Sequence, residues 1–149
     1  MTKGPSMIPG LFYEDPDAAV EWLAKAFGFE QRMSYTDDAG RIAYAEVELG
    51  DGVVAVRPQH GHSMQDLSPR AAGGVNTAHL KVAVPDVDAH CARALGAGAR
   101  VLEPPGDKFY GLRTYAVEDC EGHRWSFESA LRGPAPRDER WRRNEGRRT

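Results

Sequence analysis

The sequence predicts an α+β fold built from two tandem βαβββ modules, and three observations predict it. The chain repeats itself: "LFYEDPDAAVEWLAKAFGFE" (11–30) matches "VAVPDVDAHCARALGAGARV" (82–101), with Asp15 and Asp17 meeting Asp86 and Asp88 at an offset of 71 and Gly28 meeting Gly98 at 70. Further on, "LGDGVVAV" (49–56) meets "DCEGHRWS" (119–126), again at 70, so both copies keep one order of elements. A stretch rich in Gly, Pro and Ser, "PQHGHSMQDLSPRAAGG" (58–74), separates the copies as a loop would.

Each element has a local reason. Residues 7–13 read as a short strand. Asp15 is placed to cap a helix, with Pro16 at the first helical position, where its missing N–H is harmless. Ala19, Trp22, Leu23, Ala26 and Phe27 recur at helical spacing, and Gly28 ends the run. A strand follows at 30–36, and "TDDAG" (36–40) turns it back. "RIAYAEVEL" (41–49) alternates like a half-buried strand, and "GDG" leads into a strand at 53–57. The second copy predicts a strand at 77–84, a helix from Asp86 to near Gly98, and strands at 99–103, 112–119 and 123–129.

The expected organisation is one domain over 1–131. Module one covers about 7–57, the linker about 58–75, and module two about 76–129. The tail 132–149 carries seven arginines against Asp138, Glu139 and Glu145, a net +4 that leaves −7 on the rest of the chain. It is expected to be a mobile extension.

Composition narrows the function. With 41% hydrophobic and 28% charged residues the chain can bury a core, and its net charge of −3 favours neither nucleic acid nor an anionic membrane. The arginines of the tail have no aromatic interleaving of the kind that accompanies nucleic-acid binding. Cys91 and Cys120 form no metal-binding motif, the first residues lack the apolar run of a signal peptide, and no run is long enough to span a membrane. A cytoplasmic location is expected.

The segments "FYEDPDAAVEWLAKAFGFE", "HLKVAVPDVDAH" and "YGLRTYAVEDCEGHRWSFES" resemble the vicinal oxygen chelate superfamily, which includes glyoxalase I, bleomycin-resistance proteins, fosfomycin-resistance enzymes and extradiol dioxygenases. The resemblance covers roughly 7–129. It implies the glyoxalase/bleomycin-resistance fold, in which the strands form a cup-shaped mixed sheet with the helices outside, and it implies a homodimer.

The metal enzymes of that family place His, Gln or Glu at the opening of the first strand and late in the last strand of each module. Carried onto this sequence, those positions are Ile8, Val56, His79 and Ser126. Only His79 is a strong donor, whereas a catalytic centre normally uses three protein ligands. No metal and no cofactor are therefore expected. A displaced Glu46–His79–Glu128 site stays open as an alternative, although Lys81 and Arg124 beside it would repel a cation. His60 and His62 form an i, i+2 pair in the linker with no third donor. His90 is expected on the exposed face of the second helix, and His123 in a hydrogen-bonding turn.

No nucleophile elbow, P-loop or dinucleotide motif is present, so no catalytic residue is assigned. Acid–base chemistry by Glu46 or Glu128 competes with simple pairing to Lys81 and Arg124. The resemblance to the metal-free bleomycin-resistance type implies a binder of an aromatic, antibiotic-like small molecule. The residues expected at its site are Phe12, Tyr35, Tyr44, Glu46, His79, Lys81, Phe109, Tyr110, Arg113, Arg124, Ser126 and Glu128. Trp22, Phe27 and Trp125 are expected in the core instead. Leu11, Ala45, Val47, Leu80, Val82, Val84 and Val117 should face the helices. Assuming that Val56 shares the cup with His79 places Val54, Gly10 and Phe12 there too. A glyoxalase-like lyase or isomerase, or a dioxygenase, is the alternative function.

Overall fold

Both helices start at the aligned aspartates. Asp15 accepts the Ala18 amide at 3.1 Å ahead of α1 (Pro16–Phe27), and Asp86 accepts the Ala89 amide at 3.1 Å ahead of α2 (Val87–Gly96). Gly28 stops α1 in the left-handed conformation, φ 84°, where a side chain would be strained. These geometries come from a computed structural model that describes residues 4–60 and 65–146.

The strands are β1 (Gly10–Tyr13), β2 (Glu30–Thr36), β3 (Ile42–Leu49), β4 (Gly52–Pro58), β5 (His79–Ala83), β6 (Arg100–Asp107), β7 (Leu112–Glu118) and β8 (Arg124–Ala130). They form two four-stranded sheets, ordered β1-β4-β3-β2 and β5-β8-β7-β6. In each sheet the first strand runs parallel to the last and the remaining pairs are antiparallel. The α+β fold of two βαβββ modules is thus present. β1 is shorter than the sequence suggests, because Pro9 has no N–H to offer a ladder. β6 is longer, and it carries Pro104 and Pro105 on a sheet edge through two register shifts.

One face of each sheet is buried. Tyr13, Leu23, Phe27, Tyr115, Val117, Trp125 and Phe127 are almost fully enclosed, and Phe27 of α1 contacts both Trp125 and Phe127 of β8. The core therefore runs unbroken across the two modules. Leu11, Ala45, Val47, Leu80, Val82, Val84 and Val117 all belong to it or pack against it, as expected. The helices also finish one another: Arg93 of α2 donates to the Lys25 and Ala24 carbonyls of α1, each at 2.9 Å, and Trp22 Nε1 donates to the Ala97 carbonyl at 3.3 Å. The Lys25 and Ala97 carbonyls, left over at the helix ends, are thereby satisfied from the other module, and the Ala24 carbonyl, which already takes the Gly28 amide, gains a second donor.

Two expectations are corrected here. Val54 and Val56 do not share a face with His79 or Glu46. The register pairs Glu46 with Ala55 and Ala45 with Val56, which sends Val54 and Val56 into the core and Ala55 and Arg57 to the opposite face. His90 is not on an exposed helix face. It is half-buried, with Nε2 2.8 Å from the Phe27 carbonyl and Nδ1 against the Tyr115 hydroxyl, because it fills the joint between the two helices and β7.

A third joint ties the modules together. The Asp119 carboxylate accepts the Tyr13 hydroxyl at 2.6 Å, Trp125 Nε1 at 3.1 Å, and the Glu121 and His123 amides at 3.0 Å. Glu121, 3% exposed, accepts the Glu14 and Asp15 amides, and His123 Nε2 lies 2.8 Å from the Phe12 carbonyl. The turn role expected for His123 is present. Past β8, residues 131–146 form no helix or strand, and the Trp141 ring lies parallel to Phe109 at 6.0 Å between centroids.

Candidate functional site

The helices cover one face of each sheet, and the other face carries most of the polar residues singled out in the sequence. Strand alternation explains why. On the first sheet, β1 and β4 turn Phe12 and Arg57 to this side and β3 turns Tyr44 and Glu46 to it. β2 adds Met33 and Tyr35, which lie opposite Glu46 and Tyr44. On the second sheet, β5 contributes His79 and Lys81, β8 contributes Arg124, Ser126 and Glu128, and β7 contributes Thr114 and Glu118.

Within the first face, the Tyr44 hydroxyl donates to Glu46 Oε2 at 2.8 Å, and Arg32 Nε lies 3.7 Å from Glu46 Oε1. That hydrogen bond raises the Tyr44 pKa above its ordinary range, so at neutral pH the hydroxyl remains a donor. Tyr35 stands 65% exposed beside Tyr44, with ring centroids 6.5 Å apart. Arg57 lies over two rings, its guanidinium carbon 5.6 Å from the Phe12 centroid and 6.0 Å from that of Tyr44.

Within the second face, His79 Nε2 and Ser126 Oγ are 3.1 Å apart. Lys81 Nζ lies 3.0 Å from Glu128 Oε2, off the hydrogen-bond direction, and 5.6 Å from the Tyr110 ring centroid. Arg124 Nε lies 3.7 Å from Glu118 Oε1. Phe109 and Tyr110 meet edge to face at the β6–β7 turn, where they and Trp141 line a cleft of about 760 Å³ with Arg142 and Arg143.

The residues anticipated from sequence therefore fall into two groups. Phe12, Tyr35, Tyr44 and Glu46 form one; His79, Lys81, Tyr110, Arg124, Ser126 and Glu128 form the other, with Phe109 against Tyr110. Among the described residues no hydrogen bond, ion pair or ring contact joins the groups, so Glu46, His79 and Glu128 are not brought together. Arg113 belongs to neither. It lies on the helix-facing side, where Asp88 takes two of its N–H groups at 2.9 Å and Asp107 a third at 2.8 Å. These carboxylates push its already high pKa higher and hold that of Asp88 below the usual carboxylate range.

The register also relocates one of the four places that metal enzymes of the resembled family use. Ala55 lies opposite Gly10 as Ser126 lies opposite Lys81, so Ala55, rather than the core residue Val56, holds the late place in β4. The set becomes Ile8, Ala55, His79 and Ser126: one imidazole and one hydroxyl, short of the three ligands a catalytic centre uses. Among the described residues no three His, Cys, Asp or Glu side chains are grouped to hold a metal. His60 is described, with φ 60°, but His62 lies outside the described residues. No helix among the described residues is long and apolar enough to cross a membrane.

Sequence reasoning missed two features. The sequence expectation omits Arg57 because it sets β4 one residue out of register, and such a slip exchanges the faces of a strand. The two-residue turn at Gly50–Asp51 was the available signal, since it pairs Leu49 with Gly52 and hence Tyr44 beside Arg57. The turn around Asp119 and His123 has a local signal, but its bonds to the first module have none, because Tyr13, Glu14, Asp15 and Phe12 lie more than 100 residues away.

Comparison with known proteins bears on all of this. Residues 8–127 match the family model described as the Glyoxalase/Bleomycin resistance protein/Dioxygenase superfamily. An uncharacterized protein of Mycobacterium bovis is 33% identical over 134 residues, covering 86% of this chain and 85% of its own. The crystal structure of TioX from Micromonospora sp. ML1 is 37% identical with a TM-score of 0.68, covering 86% of this chain and 100% of TioX. The structure of TnmS3, described as an antibiotic binding protein from Streptomyces sp. CB03234, has a TM-score of 0.60 over 87% of this chain and 100% of TnmS3. At 18% identity that likeness concerns the fold alone.

Proposed function

The chain belongs to the glyoxalase/bleomycin resistance protein/dioxygenase superfamily, and within it we propose that it is a small-molecule binder that sequesters an aromatic, antibiotic-like ligand without a metal. The observation that carries this reading is the aromatic and cationic dressing of the open sheet faces. Phe12 and Tyr44 lie against Arg57 on one, with Tyr35 beside Tyr44, and Tyr110 lies against Lys81 on the other, with Phe109 beside Tyr110. Exposed rings on a sheet can stack on a planar ligand, each pair adding about 0.5–1.5 kcal/mol beyond the area it buries. A few polar groups then orient it. An antibiotic binding protein built on the same fold supports the reading.

In this reading the protein is a cytoplasmic homodimer in which a second copy completes the walls around each open face. It needs no nucleic acid, membrane or cofactor. The donor set at Ile8, Ala55, His79 and Ser126 supports the absence of a metal centre.

Titration calorimetry against a panel of planar antibiotics, on protein purified without chelators, tests the proposal. At least one compound is expected to bind, and Tyr44→Ala should weaken it by about 1–2 kcal/mol through lost stacking. The same samples should contain no stoichiometric divalent ion. A bound metal with turnover of a glyoxalase-type substrate would replace this reading with that of a lyase or isomerase. Failure of the whole panel to bind would remove the reading outright.

A further inference from the structure

The cations on the open faces are nearly all neutralised by a neighbour. Arg32 has Glu46, Lys81 has Glu128 and Arg124 has Glu118. Arg57 differs: among the described residues its guanidinium has neither an ion pair nor a hydrogen bond. It is nonetheless held in place. Its stem passes Gly10, where an added Cβ would stand 3.6 Å from Arg57 Cδ, and its head lies over Phe12 and Tyr44. Glu46, the carboxylate one step along the face, is already engaged by the Tyr44 hydroxyl and by Arg32.

This arrangement has a chemical consequence. Ring contacts at 5.6 and 6.0 Å offer no acceptor to the guanidinium and leave its N–H edge without a hydrogen-bond partner. That edge matches a planar oxyanion through two parallel hydrogen bonds. A cation fixed by rings loses little further freedom on binding, so more of the interaction is retained. Tyr35, exposed beside Tyr44, is where an attached aromatic system would rest.

We propose that Arg57 is the anion-reading residue of the first sheet and that the ligand there is a planar aromatic acid. Its carboxylate lies on the Arg57 N–H edge and its ring against Tyr44 and Tyr35. This rests on the ligand-binding reading above and adds to it the class of ligand and the residue that selects it.

The test compares 2-naphthoate with 2-naphthamide, which share a ring system but not a charge, by titration on the full chain. The wild-type protein should favour the acid by about tenfold, the scale of a charge-assisted pair of hydrogen bonds. The preference should shrink as salt rises. Arg57→Gln should bring the ratio of the two affinities close to one. Arg57→Lys, which keeps the charge and gives up the fork, should leave an intermediate ratio, with circular dichroism confirming that both variants fold. A wild-type ratio near one, or a preference that survives in Arg57→Gln, overturns the assignment. If that happens while the naphthalenes or planar antibiotics still bind, the general binding reading stands and only the acid class is lost. If no planar aromatic binds at all, both fall together.

Discussion

The two modules share a scaffold and differ in what they place on it. With the helix caps Asp15 and Asp86 aligned, the sheet registers make Gly10 and Lys81 counterparts, and likewise Ala55 and Ser126, and Arg57 and Glu128. The second module closes its charges on itself, Lys81 on Glu128 and Arg124 on Glu118. The first replaces lysine by glycine and glutamate by arginine, which leaves one cation among rings. The backbone of the repeat thus constrains where side chains stand and not what they are. Selectivity can then belong to one half and structural joints to the other.

The buried faces diverge as well, and there the largest effect is expected. Trp125 and its counterpart Val54 occupy equivalent places in β8 and β4. Trp125 meets Phe27 at 5.5 Å, Phe29 at 5.4 Å and Phe127 at 6.1 Å between ring centroids, and its indole N–H is taken by Asp119. Trp125→Ala should destabilise the fold by about 3–5 kcal/mol through the cavity it leaves. Val54→Ala removes two methyl groups and should cost about 1–2 kcal/mol. Urea unfolding of both variants checks the ratio. Equal losses would mean that the modules share the core evenly and that the second is not its anchor.

A titrating joint separates the helices. His90 on α2 corresponds to Ala19 on α1, so of the two helices only α2 brings an imidazole to the joint between them. Its neutral form is satisfied: Nε2–H donates to the Phe27 carbonyl, and Nδ1 accepts the Tyr115 hydroxyl. Burial lowers its pKa below the ordinary 6.5. The unfolded chain then binds the proton more readily than the folded one. Stability should be flat above neutrality and fall as pH drops below about 6.5, until the lowered folded pKa is passed. Thermal melts at pH 7.5 and 5.5 should show this loss, and His90→Gln should reduce it. An unchanged slope in that variant would assign the pH dependence elsewhere.

Local chemistry explains what could be read in advance. Aspartate, proline and glycine state the ends of α1 and α2 within a few residues, and alternation in "RIAYAEVEL" states the two faces of β3. The repeat then carries each statement from one module to the other. The β4 faces were misread because the four consecutive apolar residues 53–56 have no alternation to follow. Their assignment depends on the turn that pairs them with β3. His90 was misread because a lone imidazole on an amphipathic helix looks like a surface residue until α1 packs against it. The link that Asp119 and Glu121 make to the other module is not legible in the sequence, because Tyr13 and the Glu14 and Asp15 amides belong to its start. Strand alternation named most of the residues that stand on the open faces. The division of the site between two faces, and the exclusion of Arg113 from both, depends on tertiary contacts.

The smallest effect concerns Lys81. Replacing it by alanine brings the second module closer to the glycine of the first. Its ion pair with Glu128 is exposed on the lysine side, and exposed pairs contribute about 0–1 kcal/mol. The Tyr110 ring would also lose a cation 5.6 Å from its centroid, worth about 0.5–1 kcal/mol where water has access. Glu128 is half-buried, but Lys81→Ala also opens it to water, which offsets the lost partner. The expected change in unfolding free energy is therefore under about 1 kcal/mol. The preference for 2-naphthoate should not move, since no contact links Lys81 to Arg57 among the described residues. A loss of several kcal/mol in urea unfolding would show that the second open face is held together by its ion pairs. A collapse of the acid preference would show instead that the two faces act as one site, and the contrast between the modules would then have to be abandoned.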